Sequence, residues 1–161
     1  MATKGNKNLN KGIPKLKDAF IVIIKTEWNS KIVNQLENGV IAVLKENNIN
    51  YKTIIVPGAI EIPFALKQHY TYSSTLPSAY ITLGTVIKGD TPHFDYVCKF
   101  VTEGILQLNL SLDVPVVFGV LTVNTEKEAT ERTTGSHGNK GEEFAITAIK
   151  MIALNNTLKK L

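Results

Sequence analysis

The chain has 161 residues, 43% hydrophobic and 20% charged, which suits one domain around a single core. Its formal net charge of +4 is concentrated in Lys4, Lys7, Lys11, Lys15 and Lys17, and the rest of the chain carries one more acidic than basic residue, which argues against the broad basic surface that nucleic-acid binding needs. The start "MATKGNKNLNKGIPKLK" lacks the apolar core of a secretory signal and no later apolar run approaches the ~20 residues that span a bilayer, so a cytoplasmic protein without a membrane partner is expected.

In chain order, residues 1–17 read as a flexible lysine-rich tail and 18–161 as the folded domain. "AFIVII" (19–24), "YKTIIV" (51–56), "AYITLG" (79–84) and "VPVVFGVLTV" (114–123) read as strands. They are nearly continuous in apolar residues instead of alternating, the pattern of parallel strands covered on both faces. Between the first two, Ile32, Val33, Leu36, Val40, Val43 and Leu44 recur at helical spacing. Ala65 and Leu66 sit on a shorter helix after the second strand. Phe94, Val97, Val101, Ile105 and Leu108 mark a helix after the third, where Cys98 takes a half-buried position with no second cysteine for a disulfide. Phe144, Ala145, Ala148, Ile149 and Ile152 mark the last helix. The order β-α-β-α-β-α-β-α-α predicts a three-layer doubly wound sheet with ligands beyond the carboxyl ends of the strands.

The strand exits are therefore the places to search. After the first, "KTEWNS" places Trp28 in a loop, either covering a helix end or stacking on a planar ligand, with Asn29 or Ser30 as the helix cap. After the second, "VPGAIEIP" offers Gly58 for a positive-φ turn and Pro63 for an opening helical turn. The amides of Ala59, Ile60 and Glu61 would then face outward, as a plain turn or as readers of a heterocycle edge.

After the third, "GTVIKGDTPHFDYV" carries Thr91 as a cap, Pro92 as the first helical residue and Asp95 to complement the positive helix end. Gly89, Asp90 and Thr91 could present amides to phosphate beside Lys88, and an imidazole at His93 can accept and release a proton near neutral pH. A capping turn with an incidental histidine is the alternative. After the fourth, "TVNTEKEATERTTGSHGNKGEEF" contains Arg132, the sole arginine in the chain, suited to bidentate phosphate binding or to pairing with Glu128 one turn back. Lys140 opens the following helix. His69 and His137 show no partner in sequence and read as surface residues.

Together "VPGAIEIPFALK", "LGTVIKGDTPHFDYVC", "PVVFGVLTVNTEKEATER" and "GNKGEE" resemble, in order and spacing, the signature segments of the lumazine synthase family, from about Asp18 to the C-terminus. The resemblance implies a flavodoxin-like fold with a four-stranded parallel sheet. It implies a homo-oligomer, a pentamer or a 60-subunit capsid, with active sites between neighbouring subunits and riboflavin synthase as a candidate partner. It implies condensation of 5-amino-6-(D-ribitylamino)uracil with 3,4-dihydroxy-2-butanone 4-phosphate, and no metal or organic cofactor. Position by position, it implies that Trp28, Ala59, Ile60, Glu61, Thr85, Val86 and Ile87 hold the uracil, that Asp90 and Thr91 hold the phosphate, and that His93 transfers protons. Phe118, Arg132 and Lys140 correspond to residues given by the adjacent subunit, Arg132 to the phosphate. Lys88, Asp90 and the pair Ser136-His137 depart from the usual pattern. A non-catalytic flavin-binding or shell protein on the same scaffold is the competing expectation.

Overall fold

A computed structural model describes residues 9–134 and 137–161; the start of the lysine-rich segment and Ser136 lie outside the described residues. The elements are β1 (Phe20–Thr26), α1 (Ser30–Glu46), β2 (Asn50–Val56), a short 3₁₀ turn (Ala59–Glu61), α2 (Ile62–Tyr72), β3 (Ala79–Ile87), α3 (His93–Ser111), β4 (Val116–Val123), α4 (Glu126–Glu131) and α5 (Lys140–Leu158). All four strands are parallel and lie in the order β2-β1-β3-β4, the start of the flavodoxin-like order. The alternation read from the sequence is the one observed.

Side chains alternate across the sheet, so each strand feeds two cores. Ile21, Ile23, Ile81, Leu83, Val117 and Leu121 face α1 and α5, whereas Val22, Ile24, Tyr80, Val116 and Val120 face α2 and α3. β1 and β3 are covered on both faces, as their continuous apolar runs require. β2 differs: it pairs only with β1, and its Asn50, Lys52 and Ile55 are exposed. Among the described residues no helix is long and apolar enough to cross a membrane. At the beginning of the described chain, Leu9, Ile13 and Leu16 pack against the α1/α5 core, and Lys150 Nζ donates to the carbonyls of Leu9 (2.6 Å) and Lys11 (3.1 Å).

Two local readings of the helix starts change. Asn29 is the α1 cap residue, but it sits in the left-handed region (φ 56°) and makes no side-chain cap bond. Thr91 likewise makes no cap bond to α3, whose first helical residue is His93 after Pro92. Polar side chains on α1 are instead spent on tertiary ties. Lys25 Nζ, on β1, donates to Asn34 Oδ1 (2.9 Å) and pairs with Glu37, whose other oxygen accepts from Thr53 on β2 (2.8 Å).

His69 is not a partnerless surface residue. Its Nδ1 lies 2.8 Å from the hydroxyl of Tyr80, whose ring is fully buried in β3, and the two rings meet edge to face. Burial and then the nearby Lys52 lower the pKa of His69 below its ordinary 6.5, while burial and Tyr70 push the Tyr80 hydroxyl up to about 12. A group that resists protonation when folded gives stability that is full above its unfolded pKa of ~6.5 and lost as pH falls below it. His69→Phe should therefore lower the urea-derived unfolding free energy at pH 8 by about 1–3 kcal/mol, because it strands a buried hydroxyl. It should also flatten the decline of stability below pH ~6.5; an unchanged free energy at pH 8 would refute the pairing.

Candidate active site

The ladder between β1 and β3 ends at Lys25 and Leu83, yet β3 runs on to Ile87 against β4 alone. The two strands part, and the gap opens a cleft at the point where the sheet order reverses. Asn29 fills the missing hydrogen bond, its Nδ2 donating to Thr85 O at 2.7 Å. The left-handed backbone of Asn29, a conformation asparagine tolerates, aims the amide there.

The resulting cleft has a volume of about 550 Å³. Trp28 stands at its rim, 74% exposed, and the 3₁₀ turn of Ala59, Ile60 and Glu61 forms one wall. Thr85, Val86 and Ile87 form the floor, and Thr91 and His93 close the end at the start of α3. Nine of the residues selected in sequence therefore come together. Asp90 is exposed and does not line the cleft, although its neighbours Gly89 and Thr91 do.

The turn after β2 is built differently from the expectation. Gly58 is extended (φ −143°), not left-handed, and the Glu61 amide is turned back onto Gly58 O at 3.3 Å. A Cβ on Gly58 would meet the Glu61 carboxylate at 3.0 Å, so its small size lets that side chain fold over the turn. Thr26, Asn29, Phe94 and Val97 also line the cleft, although their local sequence marks them only as a strand end, a helix cap and members of a core stripe. Phe94 and Val97, being half-buried, serve both core and cleft.

Phe118, Arg132 and Lys140 do not join this cleft. They line a second one of about 640 Å³ between β4 and α5, together with His137, Glu143 and Phe144. Arg132 Nη1 donates to the backbone carbonyl of Glu128 at 2.7 Å, while the Glu128 carboxylate accepts from the Asn124 amide. Arg132 thus does not pair with that carboxylate, and among the described residues no carboxylate forms an ion pair with it. Lys140, by contrast, is held by both oxygens of Glu143 at 2.9 and 2.8 Å. His137 also has partners, its Nδ1 lying 3.6 Å from Glu131 Oε2 and its amide bonding Glu131 O. Among the described residues of this cleft, Arg132 is thus a cation oriented by a neutral carbonyl, with a charge that no carboxylate offsets and that could meet an anion. Among the described residues no group of three His, Cys, Asp or Glu side chains could hold a metal ion.

A doubly wound α/β fold with a largely apolar cleft at its switch point, bordered by Glu61, Thr91 and a histidine at a helix start, has the architecture of the α/β enzymes that take small molecules at that place. The family model described as 6,7-dimethyl-8-ribityllumazine synthase matches residues 18–156. Proteins named 6,7-dimethyl-8-ribityllumazine synthase are similar along most of their length. That of Bacteroides fragilis is 45% identical over 141 residues, covering 86% of this chain and 97% of the relative. That of Porphyromonas gingivalis is 46% identical over 145 residues (88% and 89%), and that of Christiangramia forsetii 41% over 166 (99% and 98%). The chain belongs to the 6,7-dimethyl-8-ribityllumazine synthase family, transferases of riboflavin biosynthesis.

Trp28 is the single tryptophan, so its emission reports the rim of the first cleft alone. A planar heterocycle bound there should quench and shift that emission with saturation. Trp28→Phe should abolish the signal and weaken binding, measured calorimetrically, by no more than about tenfold, since one aromatic replaces another. Saturable binding that leaves the emission untouched would place the heterocycle elsewhere.

Proposed function

We propose that the protein condenses 5-amino-6-(D-ribitylamino)uracil with 3,4-dihydroxy-2-butanone 4-phosphate to give 6,7-dimethyl-8-ribityllumazine, releasing phosphate and water. The observation that carries this reading is the division of labour between the two clefts. One holds an aromatic rim, a turn and a strand end suited to a heterocycle, with His93 beside them; the other holds Arg132, free of carboxylate partners among the described residues. The reaction needs all of these around one pair of substrates. The reading therefore requires that the second cleft of one copy face the first cleft of its neighbour, in a homo-oligomer that we take to be built of pentamers. Exposed aromatic side chains on α2 and α3, Phe64, Tyr96 and Phe100, support an assembly that covers them.

The 5-amino group attacks the ketone and water leaves, forming an imine. Loss of a proton from the adjacent carbon expels phosphate, and the 6-ribitylamino nitrogen then closes the second ring with loss of another water. His93 accepts the proton during elimination and returns one later; Arg132 and the Gly89 to Thr91 turn at the start of α3 stabilise the departing dianion. Holding two reactants in attack geometry supplies a large share of the rate, since orientation alone is worth up to ~7–11 kcal/mol.

Mixing the purified protein with both substrates and following product absorbance and phosphate release tests the reading; a rate equal to the spontaneous reaction would sink it. His93→Ala should lower kcat by up to roughly 10²-fold without abolishing turnover, because orientation survives. A variant as fast as the parent would remove His93 from the chemistry. For Arg132→Ala, loss of charge-assisted bonds worth ~1.5–3 kcal/mol should raise KM for the phosphate substrate about 10- to 100-fold and leave that for the uracil nearly unchanged. Equal changes in the two KM values would contradict the role. Native mass spectrometry distinguishes a pentamer from a 60-subunit shell, and a monomer with full activity would exclude shared sites.

A further inference from the structure

Arg132 lies just beyond the end of α4 on a connection that continues to α5, so something must hold its backbone in place. The residue that follows, Thr133, is fully buried although polar and although it lies in that connection. Its one hydroxyl proton serves either Gln35 Oε1 at 2.5 Å or Thr130 O at 2.9 Å. Thr130 O also accepts from the amides of Thr133 and Thr134, at 3.0 and 3.2 Å, so it does not need the hydroxyl. Among the described bonds, Gln35 is the partner that depends on it.

The other end of the same connection is fixed one turn further along α1. Asn139 caps α5 by accepting from the Glu142 amide, and its side chain fills the space over Gly39, where a Cβ would stand 2.4 Å from Asn139 Oδ1. Gly141 approaches so closely that a Cβ would meet Leu36 O at 2.1 Å. Lys140 N donates to Arg132 O at 2.8 Å, closing the loop across its base. Gln35, Leu36 and Gly39 on α1 thus grip both ends of the segment that carries the two cations of the second cleft.

We propose that Thr133 and Gln35 are positioning residues for Arg132, their side-chain contact setting where the guanidinium meets the phosphate of the substrate. This rests on the reaction given above. The hydroxyl does not touch the ligand; it anchors the adjoining backbone to a helix rigidly packed on the sheet, and the Arg132 side chain is then aimed by the Glu128 carbonyl.

The test uses the full-length assembled protein with Thr133→Val, Thr133→Ser, Gln35→Met and, as a stability comparator from the same α1/α5 core, Ile149→Val. Three quantities are measured: KM for each substrate, the calorimetric affinity for inorganic phosphate, and the urea midpoint. Thr133→Val and Gln35→Met should each weaken the phosphate substrate and inorganic phosphate about tenfold, the scale set by sub-ångström to ångström misplacement, while KM for the uracil stays within about twofold. Thr133→Ser, which keeps the hydroxyl, should restore both, and the double variant Thr133→Val/Gln35→Met should be no worse than either single change.

Parallel losses for both substrates, failure of Thr133→Ser to restore, full additivity in the double variant, or the same phosphate defect in Ile149→Val at matched stability would each overturn the proposal. If Thr133→Val does not fold, Gln35→Met, at a half-exposed position, carries the test alone. A parent protein that binds phosphate yet makes no product would sink the reaction but not the clamp; normal turnover with unaltered phosphate affinity in Gln35→Met would sink the clamp but not the reaction.

Discussion

β1 and β3 lie side by side with Ile21, Val22, Ile23, Ile24, Ile81 and Leu83 withdrawn completely from water. Each such side chain contributes ~1.5–3 kcal/mol relative to exposure, and a slip of one residue would exchange its two faces. That double-sided burial fixes the register of the centre of the sheet and so fixes where the ladder must stop. Beyond Lys25 and Leu83 the strands separate, and the space between them becomes the first cleft. The candidate site is thus a consequence of how far the apolar pairing extends, with the turn after β2 and the start of α3 delivered to it by the same parallel arrangement.

The same constraint explains which local readings gave way. A side-chain cap is worth ~1 kcal/mol to a helix, whereas leaving the part-buried Thr85 carbonyl without a donor costs up to ~1–3 kcal/mol. Asn29 therefore turns its amide to β3 and leaves α1 without a side-chain cap. Its partner is 56 residues away, which no local pattern reveals. The contact between His69 and Tyr80 is hidden for a similar reason, since it exists only once α2 lies across β3. At Gly58 smallness makes room for a side chain, Glu61, and not for a positive φ, a difference the local sequence does not show.

Strands, helices and their order were legible because continuous apolar runs and helical spacing reflect burial directly, and burial dominates the energy of this fold. β2 shows where that logic weakens: its run reads like the others, yet edge placement leaves Lys52 and Ile55 exposed. The residues of the first cleft were legible as strand exits, and the four ordered motifs tied them to one another. Arg132 stood out because it is the sole arginine, but its orientation by a carbonyl and not a carboxylate depends on the turn at the end of α4. Phe144 was legible as an apolar helical residue and not as a cleft wall, because one helical period cannot distinguish a side chain that meets the core from one that meets both core and cavity.

α1 connects the surroundings of the two clefts. Its first turn follows directly on Asn29, which closes the first cleft against Thr85, and its second and third turns grip Thr133, Asn139 and Gly141 beside the second. Between these points lie Ile32, Val33 and Leu36, buried against the sheet, so the helix cannot shift without disturbing the core. Under the proposed reaction, each active site combines a first cleft from one copy with a second cleft from the next. Interface packing alone would leave the relative placement of His93 and Arg132 to the surface contacts of the assembly. Fastening both half-sites to one buried helix instead makes each subunit a rigid spacer, so that docking neighbouring copies correctly at one contact sets the reacting groups at the next.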